Sequence, residues 1–491
     1  MRSKIKTGFN FKIMVYIQGG LLVIESLFFL LCAAVALYYS EQTVTYFGIS
    51  FGISAILGLT ALISCRGAST SIGKREGSVI VTFTWIIFSF IGLIPYWLSG
   101  NIPSFADAFF ETMSGFTTTG ATILNDIEVL PKSLLLWRSI THWIGGLGII
   151  VITMAVLPIF GFNGSQIYSA EVTGLSKEKL HPKVSGTAKR LLLIYLFLSA
   201  AGTVALWLAG MNWFDAVNHS LSTVSTGGFS TKNMSIAYWH SPAIEWIIIV
   251  LMTCSGINLS LYYFLITGKI KRFIHDEEMH TFINIILLST FVITVSQFGI
   301  LDFALADLGE NIRGNLFTVT SLITTTGFVS VDYSGWLAVV YILLLLTFIG
   351  GSAGSTAGGV KVIRIILVFK YCYYEFKRMI HPHAVFPVRY NGRIVKEDIV
   401  TRMLAFVLLY VIISLLGSAV LCFSGLGFEE SISSMISCLG NVGPGLGHLG
   451  PVDNYHAIPS FAKWFMSFAM LVGRLEFFTV LLLFVPAFWK K

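Results

Sequence analysis

The sequence predicts an all-α polytopic membrane protein with ten spans in total. Of its 491 residues, 55% are hydrophobic and only 12% are charged, whereas a soluble protein carries about 25% charged residues. Ten apolar runs approach or exceed the length of about 20 residues that a helix needs to cross the bilayer core. Helices are expected because lipid offers no partner to open backbone groups. The runs lie at about residues 13–39, 44–65, 78–99, 133–160, 189–210, 242–267, 281–301, 335–368, 398–424 and 461–489.

The first apolar run follows the basic segment "MRSKIKTGFNFK". Its apolar core is longer than the 7–15 residues or so of a signal peptide, so a retained helix is predicted. The six cysteines are scattered without a paired spacing. Neither disulfides nor a metal site built on them is therefore predicted, and no cofactor is predicted for this chain.

The basic residues predict the orientation of the chain. With the N-terminus inside, the inner segments hold 26 of the 32 Lys and Arg, the outer segments hold 5, and Arg474 lies within an apolar run. Cytoplasmic loops of membrane proteins carry an excess of Lys and Arg. Both termini are therefore predicted to be cytoplasmic in a multi-pass membrane protein.

The same orientation makes the outer segments acidic, with 14 Asp and Glu against 5 Lys and Arg. A negative mouth would concentrate cations, although a simple shortage of basic residues outside would also contribute to this imbalance. The formal charge of +7 for the whole chain reflects topology. It does not predict nucleic acid as a partner.

Four related glycine-containing stretches divide the chain into repeats. Each lies between two long apolar runs and follows a semi-polar segment that is long enough for a short helix. The stretches are "SGFTTTGATIL" (114–124), "STVSTGGFSTK" (222–232), "SLITTTGFVSV" (321–331) and "SCLGNVGPGLG" (437–447). The predicted architecture is two leading helices (1–77) and four helix–pore-loop–helix repeats around one pore. The repeats are predicted at 78–187, 188–280, 281–397 and 398–491.

These stretches have the composition of a cation-selectivity filter. Non-helical backbone is tolerated at membrane depth where it lines a water-filled cavity, and rings of backbone carbonyls can replace the hydration shell of an ion. The alignment of the four stretches on one glycine each has Val442 where the others have Thr, so the filter is not expected to be fourfold symmetric. The predicted filter residues are Thr118, Thr119, Gly120, Ser225, Thr226, Gly227, Thr325, Thr326, Gly327, Asn441, Val442 and Gly443.

The run "GGSAGSTAGGVKVIR" (350–364) interrupts the eighth apolar run. Small residues could serve close helix packing, but five glycines in ten residues favour a broken helix. Arg474 lies in the last run, where an unpaired charge is expensive. It is predicted either to face a cavity or to pair with a carboxylate of another helix. The segment consists of Gly350, Gly351, Ser352, Ala353, Gly354, Ser355, Thr356, Ala357, Gly358 and Gly359.

The four stretches, together with the 350–364 run, resemble the Trk/Ktr/HKT superfamily of potassium transporters over essentially the whole chain. The two leading helices match the bacterial TrkH/TrkG branch best. The resemblance implies potassium uptake through a channel-like pore, with potassium as the substrate, a gate formed by 350–359, and Arg474 near the permeation path. It also implies a homodimer in membrane lipid and a cytosolic TrkA/KtrA-type nucleotide-binding regulatory ring, which could dock on 161–190, 268–280 and 369–398.

Two other functions stay open beside potassium uptake. One is a sodium-preferring or sodium/proton-coupled transporter of the same fold. In relatives that prefer sodium, a serine often replaces the first-loop glycine, and Gly120 therefore favours potassium. The other is a membrane-embedded enzyme, which four matched glycine loops without paired catalytic groups argue against. Both a channel and an ion-coupled symporter agree with these motifs.

Overall fold

A computed structural model describes residues 10–68, 73–146, 184–300, 307–336 and 339–490. Within these residues the chain is mostly helical, and its only strands are Arg389–Tyr390 and Arg393–Ile394, which pair as a small antiparallel hairpin. The end of the run predicted at 133–160 and most of the segment predicted for docking at 161–190 lie outside the described residues.

The two leading helices are Phe11–Tyr38 and Thr43–Ser64, and they pack tightly against each other. A Cβ atom on Gly19 would lie 2.8 Å from the carbonyl oxygen of Gly58. Small residues at such a contact let two helix backbones approach closely in a membrane. The hydroxyl of Ser54 also donates a hydrogen bond of 2.8 Å to the carbonyl of Leu22. The two leading helices therefore pack closely against each other.

The described residues contain six helices that are long and apolar enough to cross a membrane, and two bent pairs that would each add one span. The six are Phe11–Tyr38, Thr43–Ser64, Arg75–Leu98, Lys189–Leu208, Glu277–Gln297 and Glu397–Phe423. These helices make the chain a membrane protein with several apolar spans. The total of ten spans stays a prediction.

Each of the four repeats contains a long helix, a short helix and a second helix. The long helices are Lys74–Gly92 with Ile94–Leu98, Val184–Leu208, Glu277–Ile300 and Glu397–Phe423. The short helices, numbered first to fourth here, are Phe105–Phe116, Trp213–Val224, Leu308–Ile323 and Phe428–Gly440. The second helices begin with Lys132–Gly146, Pro242–Gly256, Val340–Ile349 and Ser460–Arg474. The predicted repeats begin within the first two turns of these long helices. Their exact boundaries stay predictions.

Polar caps and acidic residues begin the short helices. The side chain of Ser104 accepts a hydrogen bond from the backbone N–H of Asp107, and Asn212 does the same for Asp215. All four short helices carry an acid in the first turn. Such caps and charges satisfy free N–H groups and favour the positive end of the helix dipole. The opposite, partly negative ends of the helices therefore meet the glycine stretches.

Three of the second helices are interrupted. Pro242–Gly256 turns by 95° into Leu259–Ile266, and Ser460–Arg474 turns by 111° into Phe478–Phe484. The third, Val340–Ile349, stops at Gly350, and the chain becomes helical again only at Val362–Ile380. The sequence predicted one apolar span for each of 242–267 and 461–489 and gave no sign of these breaks. Arg474 is the last residue of its helix, at the break of the second bent pair.

The largest hydrophobic cluster joins the leading helices to the first and fourth repeats. The ring of Phe29 packs in a tilted arrangement on Trp137 at 4.5 Å between ring centroids, and Phe116 meets the same ring edge-on at 6.1 Å. The indole of Trp137 donates a hydrogen bond of 2.9 Å to the carbonyl of Gly92. The end of the first short helix is thus fixed by aromatic packing.

Candidate functional site

The glycine stretch after each short helix has the same backbone conformation in all four repeats. One residue in each has a left-handed φ of 55° or 56°, and these residues are Thr118, Thr226, Thr325 and Asn441. Non-glycine residues rarely adopt that region. Two residues later, each stretch has a glycine with φ between 76° and 106°, namely Gly120, Gly228, Gly327 and Gly443. We call the stretches 117–120, 225–228, 324–327 and 441–443 the first to fourth glycine loops.

The four glycine loops close into a ring. A Cβ atom on Gly120 would lie 2.1 Å from the carbonyl oxygen of Gly227 in the second loop. The other distances are 1.9 Å from Gly228 to Thr326 O, 2.1 Å from Gly327 to Val442 O and 2.6 Å from Gly443 to Thr119 O. Because the fourth loop returns to the first, the contacts form a closed cycle. Only glycine fits at these four positions, where the next loop's carbonyl oxygen takes the space of a side chain.

The second glycine loop is shifted by one residue from the sequence alignment. Gly228, which was not among the predicted residues, takes the place equivalent to Gly120, Gly327 and Gly443. Gly227 instead supplies a ring carbonyl, as Thr119, Thr326 and Val442 do. Ser225 corresponds to Thr117 and Thr324, which follow the first and third short helices. A shared signal existed in the dipeptide "GF", which occurs at 228–229 and at 327–328.

The side chains around the ring differ between loops. The hydroxyls of Thr117 and Thr119 are 2.8 Å apart, and those of Thr324 and Thr326 are also 2.8 Å apart. Ser225 instead bonds to the carbonyl of Leu221 in its own helix. In the fourth loop the side-chain amide of Asn441 donates to Thr119 Oγ1 at 3.1 Å and to Met470 O at 2.9 Å. The backbone of the ring is therefore fourfold, whereas its side-chain support is not.

One face of the ring borders a cavity of about 110 Å³. All four ring glycines line this cavity, and so do Asn125, Asn233 and Asp453. Asp126, in the loop that joins the first glycine loop to the next helix, accepts a hydrogen bond of 2.9 Å from Asn233. That bond lowers the pKa of the Asp126 carboxyl, which keeps it ionised. The cavity thus leads from the ring to polar loops.

The other face of the ring is covered by the 350–361 segment, defined here as the chain between Ile349 and Val362. The N–H of Gly358 donates 2.8 Å to Thr325 Oγ1, beside the third glycine loop's turn. A Cβ on Gly358 would lie 2.1 Å from the carbonyl of Gly440, the last residue of the fourth short helix. Thr356 Oγ1 donates a hydrogen bond of 3.1 Å to the carbonyl of Val224, the last residue of the second short helix. The segment therefore lies against three of the four repeats.

Comparison with known proteins gives the fold a family. The family model "TrkH: Cation transport protein" matches residues 44–491. The chain belongs to the TrkH family. It is 38% identical to the Trk system potassium uptake protein TrkH of Salmonella typhimurium, over 98% of this chain and 100% of that protein. It is 35% identical to the Trk system potassium uptake protein TrkG of Escherichia coli, with coverage of 98% and 99%.

A solved structure has the same fold. The crystal structure of the potassium transporter TrkH from Vibrio parahaemolyticus has 34% sequence identity to this chain and superposes on it with a TM-score of 0.88. The match covers 98% of this chain and 100% of the Vibrio chain. The relatives are transport proteins, and this TrkH-family chain is a transporter and not an enzyme.

A buried carboxylate holds the 350–361 segment of this TrkH-family protein. Glu278 is 2% exposed, and its Oε1 accepts hydrogen bonds from Ala353 N at 2.7 Å and Ile363 N at 3.1 Å. The N–H of Ser352 donates 2.9 Å to the carbonyl of Gly256, where the second repeat's helix turns. Lys361 donates to the carbonyl of Ala357 within the segment itself. The interrupted helices of the second and third repeats are thus joined at this point.

Arg474 connects the same segment to the first repeat. Its guanidinium donates to the carbonyl of Thr356 at 2.9 Å and to the carbonyls of Gly145 and Gly146 at 2.5 and 2.9 Å. Glu476 pairs with Arg364. The sequence had left open whether Arg474 pairs with another helix's carboxylate or faces a cavity. These three hydrogen bonds go to backbone carbonyls, and they bridge helix ends on the covered side of the ring.

The basic residues at the loop end of the bundle, which the sequence assigns to the outside, are compensated. Four of the five form ion pairs, namely Arg138–Glu111, Lys232–Glu128, Arg313–Glu245 and Lys463–Asp107. The fifth, Lys132, lies 4.1 Å from the ring centroid of Tyr39. A basic side chain that is paired with an acid repels a passing cation less than an isolated one. The basic residues of the described loops therefore weaken the attraction of the acidic residues for cations only slightly.

Proposed function

We propose that this chain carries potassium into the bacterial cell across the inner membrane, and that the ring of glycine loops is its selectivity filter. The closed cycle of glycine–carbonyl contacts carries the proposal. Such a cycle brings the carbonyls of Thr119, Gly227, Thr326 and Val442 around one axis, where they can replace the water shell of a cation. The ring residues are uncharged, so coordination falls to backbone dipoles.

The identity of the ion is supported by the relatives. Those described above are named for potassium uptake, and the matched crystal structure is named as a potassium transporter. The chain also has glycine at position 120, with no room for a side chain. The unequal support of the four loops is expected to make discrimination against sodium less strict than in a fourfold filter.

The 350–361 segment is the proposed gate, and Arg474 is proposed to hold it in place beneath the ring. The segment crosses beneath the ring and contacts three repeats, so an ion leaving the filter would have to pass it. A fixed positive charge at Arg474 would oppose cation passage. The chain is further proposed to work as a homodimer in membrane lipid. A cytosolic TrkA-type ring that binds nucleotide would move the segment through the cytoplasmic surfaces 268–280 and 369–398.

Transport in liposomes tests the proposal. Purified protein is reconstituted, and uptake of labelled potassium is measured with sodium and rubidium as competitors. Rubidium is expected to compete strongly and sodium weakly. The Gly120→Ser variant should show a smaller preference for potassium, because its side chain would displace the Gly227 carbonyl. Equal competition by sodium in the wild-type protein would favour the sodium-preferring alternative, and no cation uptake at all would refute the proposal.

A further inference from the structure

A fully buried ion pair lies behind the first and second glycine loops. The side chains of Glu111, in the first short helix, and Arg138, in the next helix, are 0% and 1% exposed. Arg138 Nε donates 2.9 Å to Glu111 Oε1. Sequence counting had placed both residues among the outer charges, without any sign that they meet. Their burial has to be justified, because removing two charges from water is costly unless every donor and acceptor is satisfied.

Each partner also binds the chain just beyond a ring glycine. Glu111 Oε2 accepts hydrogen bonds of 3.0 Å from Thr122 Oγ1 and Ile123 N, which follow Gly120. Arg138 Nη1 donates 3.0 Å to the carbonyl of Ser230, which follows Gly228 by two residues, as Thr122 follows Gly120. The pair therefore joins equivalent points of two neighbouring loops.

The guanidinium fixes these points from two further directions. Arg138 Nη2 donates 3.3 Å to Thr122 Oγ1. Its planar face lies 4.0 Å from the ring centroid of Phe229, the residue after Gly228. A guanidinium presents several donors in a rigid fork and also stacks on aromatic rings, which an ammonium group cannot do. Arginine at 138 can therefore hold the two loops at once.

The third and fourth loops are supported by neutral groups close to their ring glycines. Ser321 Oγ donates 2.7 Å to the carbonyl of Phe328, the residue after Gly327. The hydroxyl of Tyr455 donates 2.8 Å to the carbonyl of Gly443. Charge-assisted hydrogen bonds are about twice as strong as neutral ones. The ion pair thus makes the first and second loops the more tightly held half of the ring.

We propose that Glu111 and Arg138 are positioning residues for ion selectivity. They hold Gly120 and Gly228 in register, and this fixes the distance between the first two ring carbonyls, those of Thr119 and Gly227. Because Glu111 offsets the charge of Arg138, the pair adds rigidity beside the cavity without adding a net positive charge. The inference rests on the proposed function, since it assigns the ring as the filter.

The test compares the pair with an ion pair of the same chemistry away from the ring. Arg138→Lys keeps the charge opposite Glu111 but loses the fork that reaches Ser230 and Thr122. Glu111→Gln keeps the shape of the acceptor and removes its charge. The control is Arg313→Met, which breaks the pair with Glu245, at 2.5 Å and partly exposed. Each variant is purified, its melting temperature is measured, and labelled potassium uptake is titrated with sodium in liposomes.

Both variants at the buried pair should lower the preference for potassium over sodium by roughly tenfold, which corresponds to about 1.4 kcal/mol. Arg313→Met should lower only the melting temperature. Folded Arg138→Lys and Glu111→Gln proteins with wild-type preference would overturn the inference and leave the filter proposal intact, because the wild-type protein still selects potassium. Loss of folded protein in both variants, with Arg313→Met folded, would also overturn it in favour of a purely structural pair. Failure of the wild-type protein to transport would refute the filter itself.

Discussion

The glycine ring and the 350–361 segment lie against each other, yet they are built in opposite ways. The ring occurs as four copies of one backbone conformation, and its contacts run between glycines and carbonyls. The segment occurs once, and two side chains from other elements hold it in place: Glu278 from the third repeat's long helix and Arg474 from the end of the fourth repeat's helix. A repeated element whose copies contact one another through backbone thus meets a unique element that is held by side chains.

This difference predicts that selectivity and rate can be changed separately. The coordinating groups of the ring are backbone carbonyls, which cannot titrate, and this suits a fixed coordination site. A segment held by a few side-chain hydrogen bonds is released when a few of them are lost, because each contributes about 0.5–1.5 kcal/mol, or about 1.5–3 kcal/mol where one partner is charged. Changes in the ring should therefore alter which ion passes, and also the uptake rate where a coordinating carbonyl is displaced, whereas changes beneath the ring should alter only the rate.

The largest effect is expected at Gly228. A methyl group there would lie 1.9 Å from the Thr326 carbonyl, at a φ of 85°. Gly228→Ala should lower potassium uptake by about 100-fold, the order expected when a coordinating group is displaced by about 1 Å. Initial uptake rates at equal folded concentration measure this. Gly335→Ala is the matched control, since nothing lies within 4 Å of that position, and a Gly228→Ala protein as fast as this control would contradict the ring register.

A smaller effect of opposite sign is expected at Arg474. At an effective dielectric of about 20, a unit charge about 8 Å from a passing cation costs that cation roughly 2 kcal/mol. Arg474→Ala should therefore raise flux by up to about thirtyfold if this barrier limits the rate, with the potassium preference unchanged. Arg474→Lys, which keeps the charge, should stay closer to the wild-type rate. If Arg474→Ala instead melts at a lower temperature without faster flux, the residue only supports the structure.

The smallest effect is expected at Thr356. Its hydroxyl donates to the carbonyls of Val224 and Ser255 at 3.1 and 3.3 Å, and Thr356→Val removes these bonds with little change of shape. The loss of about 1 kcal/mol should raise flux by no more than about fivefold. Thr347→Val serves as control, because that hydroxyl bonds only to Leu343 in its own helix. A change in ion preference at Thr356 would break the separation between the two regions.

Hydropathy and internal repeats were sufficient to predict the helical membrane fold. Apolar runs of about 20 residues and four glycine stretches reflect constraints that lipid imposes on any chain. The glycine cluster that begins at Gly350 also predicted that the second helix of the third repeat is interrupted, because adjacent glycine pairs do not follow a helical period. These features depend on local composition, which a sequence states directly.

The remaining features depend on contacts between distant residues. Nothing in "STGGF" tells which of two adjacent glycines takes the left-handed position, and only the neighbouring carbonyl of Thr326 decides for Gly228. The bend after Arg474 has positive φ at Glu476 and Phe477. Glutamate and phenylalanine are not residue types that predict a turn. Charge counting likewise cannot distinguish a buried pair such as Glu111 and Arg138 from two exposed residues.

Locating the bound ion tests the central claim most directly. Crystals of the protein grown with thallium or rubidium in place of potassium would give an anomalous signal for the ion. An ion peak is predicted on the axis of the ring, surrounded by the carbonyl oxygens of Thr119, Gly227, Thr326 and Val442. An ordered ion elsewhere in the membrane region, with none at the ring, would contradict the assignment of the glycine loops as the selectivity filter.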